Sequence, residues 1–299
     1  MADFDLDKVL ETTSTPIDPR LSKEEWAERK SQERGWAFET SDRMAAEIGT
    51  DERALNRFLS AQGRFLGYSP TNVMLVLAQK PTATRLGDNE YWKDKGCYIK
   101  KGERGISILE PGEEHKRDDG SVGISWNVTK VFDVSQVDIR TLEEKPQSRP
   151  ANNELLKALI SSSPMPIEAV EEAYYEKSYR TDDCIYIRRG MNFTDTFCCL
   201  VVEIAGAHND LFNECRSNRR DQTATTVCAA YILSEKYGTK DGRCWALGHP
   251  RLTDLEPQEI KGELGMACEL ARDISKKMER TLNSPQKEAK PPKQADKTR

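Results

Sequence analysis

Residues 68–111 read YSPTNVMLVLAQKPTATRLGDNEYWKDKGCYIKKGERGISILEP, and the order of elements within this stretch decides the fold class. Ser69-Pro70 opens a helix, because a serine oxygen caps free backbone N–H groups and proline suits the first helical turn. The run Val73 to Ala78 is apolar on every side, which predicts a buried helix, and Pro81 ends it. Shorter pieces with strand character follow. Cys97-Tyr98-Ile99 and Ile106-Ser107-Ile108-Leu109 flank Lys100-Lys101-Gly102-Glu103-Arg104-Gly105, whose glycines suit a hairpin connection. A buried helix beside short strands that double back predicts an α+β fold with a small antiparallel sheet.

Outward from this stretch the chain divides into two expected domains. Upstream, Leu21 to Arg64 has helical character, with Ser22 and Glu25 in a capping-box pattern and Leu55, Phe58 and Leu59 at helical spacing. Residues 1–20 carry Pro16 and Pro19 and are expected to form a flexible arm. Downstream, Pro111 to Gly123 reads as an exposed polar loop and Val128 to Val134 as a strand, so the first domain spans 21–138. Residues 139–152 are charged, contain Pro146 and Pro150, and read as a linker. The second domain, 153–282, is mainly helical. It has a helix over 154–160, a strand at Cys184–Ile187, an apolar helix over Phe193–Ala207 and a helix over Ala224–Tyr237 that Gly238 ends. Its last helix carries Ile260, Leu264, Ala267, Ala271, Ile274 and Met278 on one face. Residues 283–299 are polar, mildly basic and expected to be disordered.

Bulk composition excludes several function classes. The 299 residues carry a net charge of -5, with 32% charged residues and a mean hydropathy of -0.72. A net acidic chain does not coat nucleic acid everywhere, yet phosphate binding depends on where cations sit, so a local basic patch is compatible with that charge. The eight cysteines form no C-x-x-C pair, and the chain is too large for a disulfide-stapled miniprotein. The start, MADFDLDKVLETT, has neither the cationic beginning nor the apolar core of a signal peptide, and no apolar run approaches the ~20 residues that span a bilayer. A cytoplasmic protein with reduced thiols and no membrane partner is expected.

Local charge is where a function becomes legible. Between residues 61 and 105, eight cations stand against four acids, a net +4 within an acidic chain. Tyr68, Tyr91, Trp92 and Tyr98 are interleaved with Arg64, Lys80, Arg85, Lys93, Lys95, Lys100, Lys101 and Arg104. Cations that track phosphates, mixed with aromatic faces on which bases stack, make a groove for single-stranded nucleic acid. A duplex keeps its base faces stacked inside. The same residues also have a plainer reading, as core aromatics around a hairpin with solvated charges. Asn72 and Gln79 likewise read either as contacts or as ordinary polar residues of a helix.

Several of these pieces stand in a familiar order. Tyr68-Ser69-x-x-Asn72, Gln79-Lys80-Pro81-x-Ala83-Thr84, Trp92, Lys100-Lys101-Gly102-Glu103-x-Gly105-Ile106 and Pro111 resemble the N-terminal domain of ArdC-like antirestriction proteins. Val131-Phe132-Asp133-Val134-Ser135-Gln136 is similar to the end of that domain. The resemblance implies single-stranded DNA binding by an accessory protein of a mobile genetic element, one that protects incoming DNA from restriction. The implied DNA-binding set is Tyr68, Asn72, Gln79, Lys80, Arg85, Trp92, Lys93, Tyr98, Lys100, Lys101 and Arg104. At Cys97 the sequence departs from the family, which commonly has Arg there and so an extra phosphate contact.

ArdC-like chains continue into a zincin-type peptidase domain. Here Ile185-Tyr186-Ile187, Asn192-Phe193 and Phe197 to Ala207 stand where the family places a strand and its metal helix. That helix normally carries H-E-x-x-H, two histidines one turn apart that reach a zinc ion, with the glutamate as general base. The corresponding residues are Val202-Glu203-Ile204-Ala205-Gly206, and neither Val202 nor Gly206 can bind metal. The family's third ligand, an acid on the next helix, falls near Val227, and nothing acidic lies between Gln222 and Ser234. His208 stands ~240° around the helix from Val202 and replaces neither histidine. The resemblance therefore implies a degenerate peptidase domain with no catalytic residues beyond a vestigial Glu203, no metal and no cofactor. Such a domain would serve as a scaffold, or would bind a host protein or one encoded by the element. Two alternatives stand beside it: a zinc metallopeptidase with a rearranged Cys/His ligand set, and a protein-interaction module whose basic hairpin binds an acidic partner.

Overall fold

Helix α1 (Lys23–Thr50) starts where the sequence places its capping box, with the Glu25 amide donating to Ser22 Oγ (3.2 Å) and the Ser22 amide to Glu25 Oε2 (2.8 Å). The computed structural model describes residues 22–116, 120–138, 149–171, 177–212, 224–239, 250 and 252–284. The expected arm over 1–20, residues 139–148 of the expected linker and the tail beyond Ser284 lie outside these residues. The helical stretch expected over 21–64 is made of two helices. Asp51 has extended backbone (φ -120°, ψ 115°) and accepts from the Arg53 amide (2.9 Å), so it ends α1 and caps α2 (Glu52–Arg64). Ser69 caps α3 (Pro70–Gln79), in which Val73, Met74, Leu75 and Val76 are fully buried.

The strands correct two expectations. After β1 (Leu86–Gly87) and the short helix α4 (Asn89–Asp94), the two strand-like pieces around Gly102 do not pair with each other. Instead β2 (Tyr98–Ile99) pairs antiparallel with β5 (Val137–Asp138), and β3 (Ile106–Lys116) pairs antiparallel with β4 (Val122–Asp133). The stretch expected as a loop, 111–123, is largely the hairpin formed by the far ends of β3 and β4. Its polarity follows from exposure on a projecting hairpin, with a register shift between Pro111 and Glu114. The sheet order is β1-β4-β3.

The second half supplies α5 (Asn152–Ser161), β6 (Ile167–Val170), β7 (Ser178–Arg180), β8 (Ile185–Arg188), α6 (Phe193–Phe212), α7 (Ala224–Lys236) and α8 (Pro257–Leu282). Its sheet runs β6-β8-β7, with β6 parallel and β7 antiparallel to β8. The fold class is α+β, as the sequence predicts. The two halves share one hydrophobic core, in which Phe58 and Met74 belong to the same cluster as Leu155, Leu200, Ile204, Ile232 and Leu264. Arg272 of α8 adds polar ties, donating to the main-chain oxygens of Leu66 and Tyr68 (2.7 Å each) just before α3. Cys97, Cys184, Cys199, Cys228 and Cys268 are buried thiols outside any disulfide. Among the described residues no helix is long and apolar enough to cross a membrane.

His208 on α6 is buried where α5 ends, its Nε2 2.9 Å from the Ser162 carbonyl and 3.4 Å from Lys277 Nζ. Burial lowers its pKa and the Lys277 ammonium lowers it further, against the opposing pull of the Ser162 carbonyl and Asp273. The folded protein therefore holds His208 neutral, while the unfolded chain takes up a proton near pH 6.5. The stabilisation is complete above that pH and is lost as the pH falls below it. Thermal unfolding from pH 7.5 to 5.5 should show a falling midpoint whose slope is reduced in a His208→Gln variant. Parallel slopes for the two proteins would exclude this origin.

Candidate functional site

The motif Phe132 to Gln136 acts as a clasp. Asp133 Oδ1 accepts from the amides of Thr84 (2.7 Å) and Arg85 (3.0 Å), and Oδ2 from the amide of Ser135 (3.0 Å). Burial alone would raise its pKa, but these hydrogen bonds outweigh burial and lower it, so Asp133 stays ionised. Gln136 reaches the other way. Its Nε2 donates to the Arg104 carbonyl (2.7 Å) and Glu103 Oε2 (3.0 Å), while its own carbonyl accepts from the Lys100 amide (2.9 Å). Lys100 Nζ also donates to the Ser135 carbonyl (2.9 Å). The loop 100–105 is thereby fixed against the end of β4, and Gly102 turns it with a φ of +89°, a conformation that favours glycine.

The structure brings some of the expected contact residues together and not others. Gln79, Lys80, Gly102, Glu103, Arg104, Gly105 and Gln136 line one open cleft of about 380 Å³, so motifs about 25 residues apart in sequence meet at one place. Lys93, Tyr98, Lys100, Lys101 and Arg104 are exposed, and Tyr98 is 68% exposed on the short strand β2. Arg85 is half-buried, with Nε and Nη2 donating to Tyr91 Oη (3.2 and 3.1 Å) and Cζ 5.7 Å from the centre of the Trp92 ring.

Trp92 itself is fully buried. It packs with Cys97 and Val137 in a small separate core, and its Nε1 donates to the Phe132 carbonyl (3.0 Å), so its ring offers no face for a base. Cys97 points into that same core. Tyr68 is half-buried against the main core and edge-on to Phe65 (6.2 Å), and burial raises its pKa, with Asp88 and Glu110 adding to the shift.

Asn72 and Gln79 are committed to the protein's own backbone. Asn72 Nδ2 donates to the Leu109 carbonyl and Oδ1 accepts from the Leu109 amide, both at 2.8 Å. Gln79 repeats this on Ser107, with Nε2 donating to the carbonyl (2.9 Å) and Oε1 accepting from the amide (2.8 Å). The two side chains close the edge of β3 that faces α3. Of the residues organising the cleft, Asp133 and Gln136 carried a sequence signal, their place in a motif, but residue type alone gave no hint of their role as clamps.

In the second half, α6 packs on β7 and β8 and places Glu203 beside the edge strand β7. Glu203 is buried, its Oε1 accepting from Ser178 Oγ and its Oε2 from Arg180 Nη1, both at 3.0 Å. Arg180 also donates through Nε and Nη2 to Asp210 Oδ2 (3.2 and 2.9 Å). Val202 is buried, and the guanidinium of Arg180 lies directly over Gly206. No sequence feature pointed to Arg180.

This architecture is similar to that of the antirestriction protein ArdC from the R388 plasmid. Its metal-free crystal structure aligns at a TM-score of 0.52 and 17% identity, covering 82% of this chain and 98% of that one. Its Mn(II)-bound structure gives 0.53 and 17%, covering 84% and 99%. The chain therefore has the ArdC fold over nearly the whole length of that protein. No family profile and no curated protein matches the sequence.

The clamp on β3 sets a stability expectation. Asn72→Ala strips a donor and an acceptor from buried main-chain groups of Leu109, each costing about 1–3 kcal/mol when left unpaired. Urea unfolding should show a loss of roughly 2–6 kcal/mol. Wild-type stability in that variant would mean that the edge of β3 finds other partners.

Proposed function

We propose that this chain is a single-stranded DNA-binding accessory protein of the antirestriction type, carried by a mobile genetic element and acting in the cytoplasm on incoming DNA. The first half, 21–138, supplies the DNA interface, and the second, 153–282, is a peptidase-type scaffold without catalysis. The observation that carries the reading is the grouping of Tyr98, Lys100, Lys101 and Arg104 as exposed residues on and beside a loop that a buried clasp holds rigid, next to the cleft at Lys80. A rigid loop presents its cations and an aromatic face without paying the ordering entropy on binding. The similarity in fold to a plasmid antirestriction protein supports the same assignment.

The binding set narrows accordingly. Tyr98 is the stacking residue and Lys80, Lys93, Lys100, Lys101 and Arg104 track phosphates, with Arg85 at the margin. Trp92, Asn72 and Gln79 support these residues from beneath, and Tyr68 joins the first half to the second. The absence of side chains able to bind metal at 202 and 206 supports the non-enzymatic reading of the second half.

Gel-shift titration with labelled oligonucleotides tests the proposal. Single strands should bind more tightly than the matching duplex, and each lysine lost from the interface should reduce the salt slope by about 0.7. Tyr98→Ala should weaken binding by about 1–3 kcal/mol, roughly 5- to 150-fold in Kd, with an unchanged unfolding midpoint. Equal affinity for the two forms of DNA, or no binding at moderate salt, would remove the basis for the assignment.

A further inference from the structure

The R388 protein was crystallised with Mn(II), and peptidase helices of the H-E-x-x-H type hold their metal between two residues one turn apart. The residues of this chain do not fit such an ion. Val202 has no donor atom, Gly206 has no side chain, and among the described residues no group of three or more His, Cys, Asp or Glu is arranged to hold a metal.

A cationic side chain lies against this face of the helix instead. A Cβ built on Gly206 would lie 2.3 Å from Arg180 Nη1, 2.7 Å from its Cζ and 2.8 Å from Nη2. Any side chain at position 206 would have to enter the volume that the guanidinium occupies. That guanidinium bonds Glu203 Oε2 (3.0 Å) and Asp210 Oδ2 (2.9 Å), and the Arg180 and Glu203 side chains are only 8% and 7% exposed. We infer that Arg180 is a built-in cation that takes the place of the metal, holding the retained Glu203 and closing this fold against divalent ions. The inference rests on the reading of the second half as a peptidase scaffold without catalysis.

The chemistry supports the exchange. A carboxylate buried on an apolar helix needs a compensating positive charge. A metal supplies it at the cost of several protein ligands. A guanidinium supplies it from one residue, because its planar fork of donors bonds two acceptors at once. Anchored on the edge strand β7, Arg180 also ties that strand to α6, as a shared ion would. The glycine is then a requirement, since a helix interior otherwise favours alanine.

Gly206→Ala separates this from an ordinary helical glycine. In an open helix the substitution raises the unfolding midpoint, whereas here it should lower it by about 3–10 °C by pushing the guanidinium off its carboxylates. In an Arg180→Ala, Glu203→Gln background the same substitution should raise the midpoint by about 2–4 °C. Should that background fail to fold, the sign of the change in the wild-type background decides alone. Mn(II) and Zn(II) should leave the wild-type midpoint unmoved, and purified protein should carry no stoichiometric metal by elemental analysis. A raised midpoint for Gly206→Ala in the wild type, or equal shifts in both backgrounds, overturns the inference and leaves the non-catalytic reading standing. About one bound ion per chain, with peptide hydrolysis abolished by Glu203→Gln, overturns both.

Discussion

The edge of strand β3 is the constraint on which the first half depends. Its other side is paired with β4, so the edge facing α3 would leave unpaired N–H and C=O groups beside a buried apolar helix. Such groups must find partners or weaken the fold. Asn72 and Gln79 provide them, each engaging both main-chain groups of one residue. Their spacing follows from geometry. Seven residues make two helical turns and return to the same face, and alternate strand residues direct their main-chain groups the same way. The helix advances ~10.5 Å over that interval and the strand only ~6.6 Å, and the longer glutamine side chain helps to cover the mismatch. With α3 locked to β3, Lys80 comes to rest beside the loop 100–105. Gln136 holds that loop from the opposite side.

The two halves, distinct in sequence, are joined by packing. Helix α3 packs on β3, and α2 and α3 also carry apolar surface that goes against α7 and α8. Arg272 then satisfies the carbonyls of Leu66 and Tyr68, where the chain turns from α2 towards α3. The second half thus packs behind the helix that leads to the cleft. Whatever its chemistry, it has a physical part in the fold, because removing it would expose one side of the core that supports the cleft.

Much of the fold was legible in the sequence. The helices were visible because a 3.6-residue pattern with caps, such as Ser22 with Glu25 or Ser69 with Pro70, is a local signal. Strand pairing was not, since β2 joins β5 across nearly forty residues and two-residue strands carry no alternation. The site was half legible. Charge and exposure of Lys100, Lys101 and Arg104 follow from local composition, but burial does not. Trp92 reads in the sequence as either a stacking face or a core aromatic, and only the fold buries it with Cys97 and Val137. Asn72 and Gln79 stay open to two readings in the sequence for a related reason: a polar residue in a motif suggests a ligand contact, although satisfying the main chain demands polar residues equally.

The helix α6 shows the same lesson with charge. A carboxylate buried on an apolar helix with no cation beside it is a costly arrangement. Glu203 is compensated because Ser178 and Arg180 of β7 meet it, and Arg180 also reaches Asp210 one turn beyond Gly206. One guanidinium thus supplies positive charge to two carboxylates of the same helix. A guanidinium stays protonated, keeps its bonds in one plane and has no open coordination position for a water molecule. These electrostatics hold a helix to a strand. What such a cluster answers is the need for charge balance in the core, because folding itself requires it.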